Sequence, residues 1–183
     1  MTRFVQLLFP FSLFTLFLSC QPKAEYDVIK DPMKGFVVNM DDSTRGAKSI
    51  QELSCYFFSA LQGKITFQQL QKFTPDSEDI AHIYTLTSTS VSSAKDIRAN
   101  ADTVSNLLKS GFNAAVSKAS VLHSDWKKAT LNRVMVIEIE DQKLPSKKIV
   151  LEASDGKTTL RASAKCMKIG NRWFIGEDLR YGV

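Results

Sequence analysis

The chain has 183 residues, of which 44% are hydrophobic, 23% charged and 10% aromatic. This is the composition of one ordinary globular domain, and it excludes a disordered chain, a collagen-like chain and a protein with several membrane spans. The formal net charge is +5, and the basic residues are scattered with no run of five or more. The sequence therefore predicts a mildly basic surface and no nucleic-acid partner.

The first twenty residues have the order of a secretion signal. Arg3 gives a short positive start, and an uncharged stretch rich in Phe and Leu follows over residues 4–18. That stretch is too short for a good membrane-spanning helix, and Pro10 would kink one. Ser19 and Cys20 come next, before a polar, loop-like segment.

The end of this stretch reads FLSC at residues 17–20. It resembles the lipobox of bacterial lipoproteins, in a looser form used by some diderm bacteria, because Phe17 stands where the common pattern has Leu. The resemblance implies that residues 1–19 are a lipoprotein signal peptide, cleaved between Ser19 and Cys20, and that Cys20 carries the lipid. Acyl chains on Cys20 would then bind the membrane, since each buried methylene contributes about 0.8 kcal/mol.

The same resemblance predicts where the protein is located. It implies the cell envelope, and Gln21 in place of an Asp after the cysteine favours the outer membrane, on its periplasmic face or at the cell surface. Two alternatives stay open, an ordinary secretion signal cut nearby and an uncleaved signal anchor, and in both of them Cys20 is incidental.

Residues 20–48 are predicted to be the lipidated cysteine and a tether. They contain several turn-forming Pro and Gly residues and one brief apolar patch at residues 36–38, which could dock on the domain. The folded domain is therefore expected at residues 49–183, and no internal repeat divides it.

Two further cysteines, Cys55 and Cys166, form an even pair once Cys20 is lipidated. In the oxidising envelope they could form one disulfide that closes a loop of about 110 residues, worth about 4 to 5 kcal/mol in the chain-entropy model. Two separate core thiols are the alternative, because cysteine is among the most buried residue types. No metal site is predicted, since no Cys-x-x-Cys occurs and His82 and His123 are far from either cysteine in sequence.

The first half of the domain has helical spacing. Ser49 and Glu52 form a capping-box pattern before an apolar, partly aromatic stripe, and Gly63 can end that helix. A short helical piece is predicted at residues 67–73, and Thr74 is predicted to cap a helix with a proline in its first turn.

A longer helix is predicted from a cap at Ser93 through Leu122, with Gly111 as the one place where it could break. The preceding residues 82–91 are rich in β-branched side chains, and they are compatible with the end of a helix or with a strand.

From Asn132 onward the apolar spacing changes from about 3.6 to 2, which predicts strands. The predicted buried side of the first strand is formed by Met135, Ile137 and Ile139. A second strand at residues 148–154 is joined to a third by Asp155-Gly156, which predicts a turn with positive φ at both positions. Another turn at residues 170–171 leads to a fourth strand.

Helices followed by strands predict a single α+β domain, with N-terminal helices packed on a curved C-terminal antiparallel meander. The order of elements, the hairpin at residues 155–156 and the final GNRWFI strand at residues 170–175 are similar to those of small envelope lipoproteins with the cystatin-like or steroid-isomerase-like cone fold. The resemblance implies a cone with a pocket and no particular reaction, because that fold is shared by isomerases, dehydratases and non-catalytic binding modules.

The sequence lacks the motifs of common catalytic sites: it has no Gly-x-Ser-x-Gly, no Gly-x-x-x-x-Gly-Lys and no His-Glu-x-x-His. A dyad of His123 with Asp125, and the carboxylate pair Glu138 and Glu140, are the remaining acid–base candidates. A solvated strand end explains the carboxylate pair more simply. The tyrosines that could donate a proton in an isomerase-like pocket are Tyr56, Tyr84 and Tyr181.

We therefore expect a lipid-anchored, non-catalytic binding or interaction module without cofactor or metal. Its expected partners are the membrane, through Cys20, and an envelope protein or small ligand, and the protein is expected to be a monomer. A small pocket enzyme of isomerase or lyase type is one alternative, and it predicts a deep pocket holding a carboxylate of raised pKa. A structural or host-facing surface lipoprotein is the other, and it predicts a filled cone with an exposed apolar patch.

Overall fold

The computed structural model describes residues 26–40, 44–87, 93–140, 143–176 and 178–182. The helices are α1 (Ile50–Leu61), α2 (Phe67–Leu70), α3 (Ser77–Leu86) and α4 (Ala94–Val121), with short 3₁₀ helices at Gln71–Phe73 and Trp126–Lys128. The strands are β1 (Tyr26–Lys30), β2 (Thr130–Ile139), β3 (Ser146–Ser154), β4 (Thr159–Ile169), β5 (Arg172–Ile175) and β6 (Arg180–Tyr181). Helices that precede an antiparallel sheet confirm the predicted α+β class.

The start of α1 follows the predicted capping pattern. The Ser49 side chain accepts a hydrogen bond from the Glu52 backbone N–H, as expected for an N-cap. In a capping box the Glu52 carboxylate would accept a hydrogen bond from the backbone N–H of Ser49. Here it accepts from the N–H of the preceding residue, Lys48. This shift leaves the start of the helix where the sequence placed it.

Capping boxes begin the other three α-helices, α2, α3 and α4. Ser93 caps α4 together with Asp96, which confirms the predicted start of the long helix. The predicted cap of α3 at Thr74 is wrong, because the N-cap is Asp76, whose carboxylate accepts from backbone N–H groups of the first turn. The helix then continues to Leu86, so the described part of residues 82–91 is helical, and residues 88–92 lie outside the described residues.

The strands form one antiparallel sheet in the order β1-β2-β3-β4-β5, with β6 paired to β4 beside β5. Because β2 to β5 are consecutive in the chain, the predicted meander is confirmed. The predicted two-residue turn at Asp155-Gly156 is wrong: the loop runs from Asp155 to Thr158, and of its residues only Gly156 has a positive φ. The Asp155 carboxylate accepts hydrogen bonds from the N–H groups of Lys157 and Thr158 and so fixes this longer loop.

The segment predicted as a tether contributes to the folded domain. Tyr26 begins β1, an edge strand that pairs with β2 along its whole length. Pro32 is buried, and Ala47 pairs with Trp173 of β5. Much of residues 20–48 is therefore part of the domain, which begins well before the predicted boundary. Residues 41–43 lie outside the described residues.

The centre of the core is α1, in which every residue from Leu53 to Leu61 is buried. It contacts β2, β3 and β5 on one side and α4 on the other. The buried residues that α4 adds to this core are Leu108, Phe112, Ala115 and Ala119. The aromatic stripe of α1 thus serves core packing, with Phe57 and Phe58 among the largest fully buried side chains.

The two faces of β2 are assigned opposite to the prediction. Val134 and Val136 are buried in the core, whereas Met135 and Ile137 lie half-buried on the other face. Both faces of this strand are apolar in sequence, so alternation alone does not tell which of them the helices cover. We refer to the sheet face away from the helices as the outer face.

Candidate functional site

The predicted lipid-attachment site lies outside the described residues. This applies to Cys20, to Ser19 and to the whole predicted signal peptide at residues 1–19. The first described element, β1, begins at Tyr26, only six residues after Cys20. Within the described ranges, no helix combines the length and the apolar character that crossing a membrane requires.

Cys55 and Cys166 are free, buried thiols in the structure, so of the two alternatives left open by the sequence, the disulfide is not formed and the two separate thiols are present. Cys55 donates a hydrogen bond to the Pro32 carbonyl oxygen at 3.1 Å, whereas Cys166 lies in the core cluster on β4. Burial raises the pKa of Cys55 to about 11, with a smaller contribution from the charge of Glu52, and burial also raises the pKa of Cys166. Thiols with raised pKa values are poor nucleophiles and poor metal ligands.

A partly buried ion cluster joins the segment before α1 to the start of α3. The Arg45 guanidinium donates hydrogen bonds to the Thr74 carbonyl oxygen and to Asp79 Oδ2, the latter at 3.3 Å. Its Nε lies 3.0 Å from Asp76 Oδ2, at ion-pair distance but without hydrogen-bond alignment. Burial raises the pKa of Asp79, while the Asp76 backbone N–H and Arg45 act in the opposite direction. The cluster fastens two chain segments, and its carboxylates are held by a cation and by backbone donors.

A groove of about 460 Å³ lies at the C-terminal end of α4. His123 and Asp125 both line it, but no hydrogen bond joins them there. The Asp125 side chain instead accepts from the Lys127 backbone N–H and lies 3.8 Å from Lys128 Nζ. His123 has a φ of +55°, in the left-handed region, at the turn that ends the helix. The candidate dyad is therefore not assembled in this geometry.

The other acid–base candidates occupy separate places. Glu138 and Glu140 are both exposed, and Glu138 Oε1 pairs with Lys147 Nζ at 2.6 Å. The Tyr56 hydroxyl donates to the Asn39 carbonyl oxygen at 2.8 Å. Tyr84 and Tyr181 belong to different regions: Tyr84 Oη accepts from Asn100 on α4, and the Tyr181 ring packs against Trp126. The structure does not bring these tyrosines and carboxylates together around a common cavity.

An ion cluster that the sequence analysis missed lies on the outer face of the sheet. Glu152 on β3 lies between Arg133 on β2, with Nε 2.9 Å from Oε1, and Arg161 on β4, with Nη2 2.8 Å from Oε2. The hydrogen bond from Arg133 is the largest cause of the lowered pKa of Glu152. The three residues are directly opposite one another in the strand register, and this register was the one signal that could have revealed them.

Metal-ligating side chains do not gather in the described part of the chain: no three His, Cys, Asp or Glu residues there are close enough to hold an ion. Comparison with known proteins finds no matching family model, no similar curated protein and no similar solved structure. The function must therefore be argued from the sequence of the N-terminal segment and from the surface of the domain.

Proposed function

We propose that this protein is a lipid-anchored protein of the bacterial cell envelope whose domain acts as a non-catalytic binding or interaction module. The observation that carries the proposal is the order of the N-terminal residues, in which Arg3, an uncharged stretch and the Ser19-Cys20 pair follow one another. Acyl chains on Cys20 would hold the domain at a membrane surface, and the outer membrane is the membrane we favour.

The packing of the domain supports an interaction module over a pocket enzyme. Helix α1 lies between α4 and the sheet and fills the space there, and its last nine residues are buried. The concave regions found among the described residues are surface grooves. Of the carboxylates that line them, Asp76 pairs with Arg45, Asp125 caps the 3₁₀ helix at Trp126–Lys128, and Asp102 lines two of the grooves on the outside of α4. An isomerase-like site requires a carboxylate and a proton donor facing one dry cavity. A module of this kind would bind its partner through its surface.

Metabolic labelling of the full chain with a clickable palmitate analogue in a bacterial host tests the anchor. We expect the native protein to incorporate the label and to fractionate with membranes, and Cys20→Ala to lose both properties. Cys55→Ala and Cys166→Ala are matched controls, because they remove other cysteines and should keep the label. Label that persists in Cys20→Ala, or that is absent from the native protein, would overturn the proposal.

A further inference from the structure

The outer face of the sheet concentrates positive charge that is scattered in the sequence. Strand register and alternation place seven basic side chains on this face, and Glu152 is the one acidic residue among the described strand positions there. The basic residues are Lys30, Arg133, Lys148, Arg161, Lys165, Arg172 and Arg180. These strand positions therefore have a formal excess of 7 − 1 = 6 positive charges, compared with +5 for the whole chain, and Arg180 also pairs with Asp178 just before β6. The remainder of the protein is close to neutral.

Beside these charges lies an apolar strip on the two strands at one edge of the sheet. The strip consists of Tyr26 and Val28 on β1 and Met135 and Ile137 on β2, which face each other in register. Tyr26 is 50% exposed and Val28 is 38% exposed, and their two partners are half-buried. Farther from this edge the outer face is largely buried, at Val150, Ser163 and Phe174, and Ile139 and Met167 there are half-buried, so the most exposed apolar residues of the face are Tyr26 and Val28 of the strip.

The strip includes β1, which is the strand nearest in sequence to the proposed anchor at Cys20. Five residues lie between Cys20 and Tyr26, so the chain takes six steps of at most about 3.6 Å each and the two residues are at most about 22 Å apart. A lipid on Cys20 would hold this edge within that distance of the bilayer. The far end of α4 lies near the opposite end of the strands, because Ser124 contacts Thr158 in the β3–β4 loop.

We infer that the outer face of the sheet lies against an anionic bilayer surface, with the apolar strip at the headgroup level and the basic residues facing lipid phosphates. The inference rests on the proposed anchor at Cys20, which would present this face to the membrane. Basic side chains near a bilayer are attracted by anionic headgroups, and tyrosine is enriched at the membrane–water interface. A face that is basic and partly apolar fits such a surface better than it fits a purely polar partner.

Lysine footprinting of the full chain tests this orientation. The protein is reconstituted into phosphatidylcholine vesicles with and without about 30% phosphatidylglycerol, and lysine acetylation is read by mass spectrometry against the same protein in neutral detergent. In anionic vesicles we expect Lys30 and Lys148 to react at least about three times more slowly than in detergent, because they face the headgroups. The control lysines Lys118 and Lys157, on α4 and in the β3–β4 loop, should react at nearly the same rate in both. Equal rates for Lys30 and Lys148 in vesicles and in detergent overturn the inference.

Two further arms separate the possible causes. In the native protein we expect Lys165 to be acetylated more slowly in anionic than in neutral vesicles. The double variant Lys30→Glu with Lys148→Glu should lose this difference. The control double variant Lys118→Glu with Lys157→Glu has the same net charge and should keep the difference. Equal protection by a soluble polyanion at matched charge overturns the bilayer as the partner. Flotation of the vesicles in high salt tests the anchor separately. If the lysines are protected at low salt but the protein leaves the vesicles at high salt, the result contradicts a lipid on Cys20 but still supports binding of the bilayer by the outer face.

Discussion

Replacing Gly111 by Ala tests whether the contact between α4 and the chain before β6 is as close as the structure shows. Gly111 lies within the 28-residue helix α4, where an Ala is ordinarily better than a Gly by about 0.5 to 1 kcal/mol. Propensity alone therefore predicts that Gly111→Ala stabilises the protein. The surroundings predict the opposite.

A Cβ at position 111 would lie 2.5 Å from the carbonyl oxygen of Leu179 and 3.0 Å from its Cβ. The nearer atom belongs to the backbone, and β6 begins at the next residue, Arg180, so the segment cannot move without disturbing its pairing with β4. Inserting a methyl group into such a contact costs about 1 to 3 kcal/mol. After the gain in helix propensity is subtracted, the middle of these ranges leaves a net loss of about 1 kcal/mol, or a fall in Tm of about 2 to 4 °C for a domain of this size.

Thermal unfolding followed by circular dichroism measures this difference. Ser117→Ala is the matched control, because Ser117 is exposed on the same helix and its replacement should change Tm only slightly. A Gly111→Ala variant that melts at or above the Tm of the native protein would refute the reasoning, since it would show that α4 and the segment at Leu179 are not in tight contact.

Three other changes have defined outcomes. Arg45→Met removes the hydrogen bonds to Thr74 and Asp79 and should lower the free energy of unfolding, measured in urea, by about 1 kcal/mol. The value is modest because the Arg45 side chain is partly exposed. The control Lys48→Met should leave the free energy of unfolding nearly unchanged. Backbone N–H groups of Thr158 and Lys157 hold the pKa of Asp155 at about 2, below its ordinary 3.8. The ionised Asp155 carboxylate therefore stabilises the fold fully above pH 3.8, and this stabilisation is lost as the pH falls through about 2. The difference in Tm between the native protein and Asp155→Asn should accordingly close in strong acid. A difference in Tm that is unchanged there contradicts this prediction. Cys55 and Cys166 should react with a maleimide at least about 100 times more slowly in native protein than in guanidinium, and rapid native labelling would show that they are not buried as described.

The elements that were predictable from the sequence are those whose signals are local. Ser93 and Asp96 form a capping box within four residues, so the start of α4 follows from sequence alone. The continuous apolar stripe of α1 likewise predicts a buried helix, because the periodicity is complete within three turns. The break suggested at Gly111 does not occur, since the reason for that glycine is a contact with Leu179 that is remote in the sequence.

The features that were missed depend on distant partners. β1 was interpreted as part of a tether because its five residues become a strand only through pairing with β2, roughly one hundred residues later. The Arg133–Glu152–Arg161 cluster similarly requires the register of three strands, and a shift of one residue would place each side chain on the other face. The same dependence hides the basic outer face, whose residues occupy alternate positions on separate strands.

The position of β1 has a consequence for how copies of this protein behave when they are crowded together. Without β1, the ten-residue strand β2 would be the free edge of the sheet, and a long free edge readily pairs with another chain. β1 covers half of that edge with a strand of five residues that ends in Lys30. Because its partner is made so much later in synthesis, this cover forms only after most of the chain has been produced. By then β1 has already been synthesised, so it can cover this edge as soon as β2 forms, and neighbouring copies are kept from joining there.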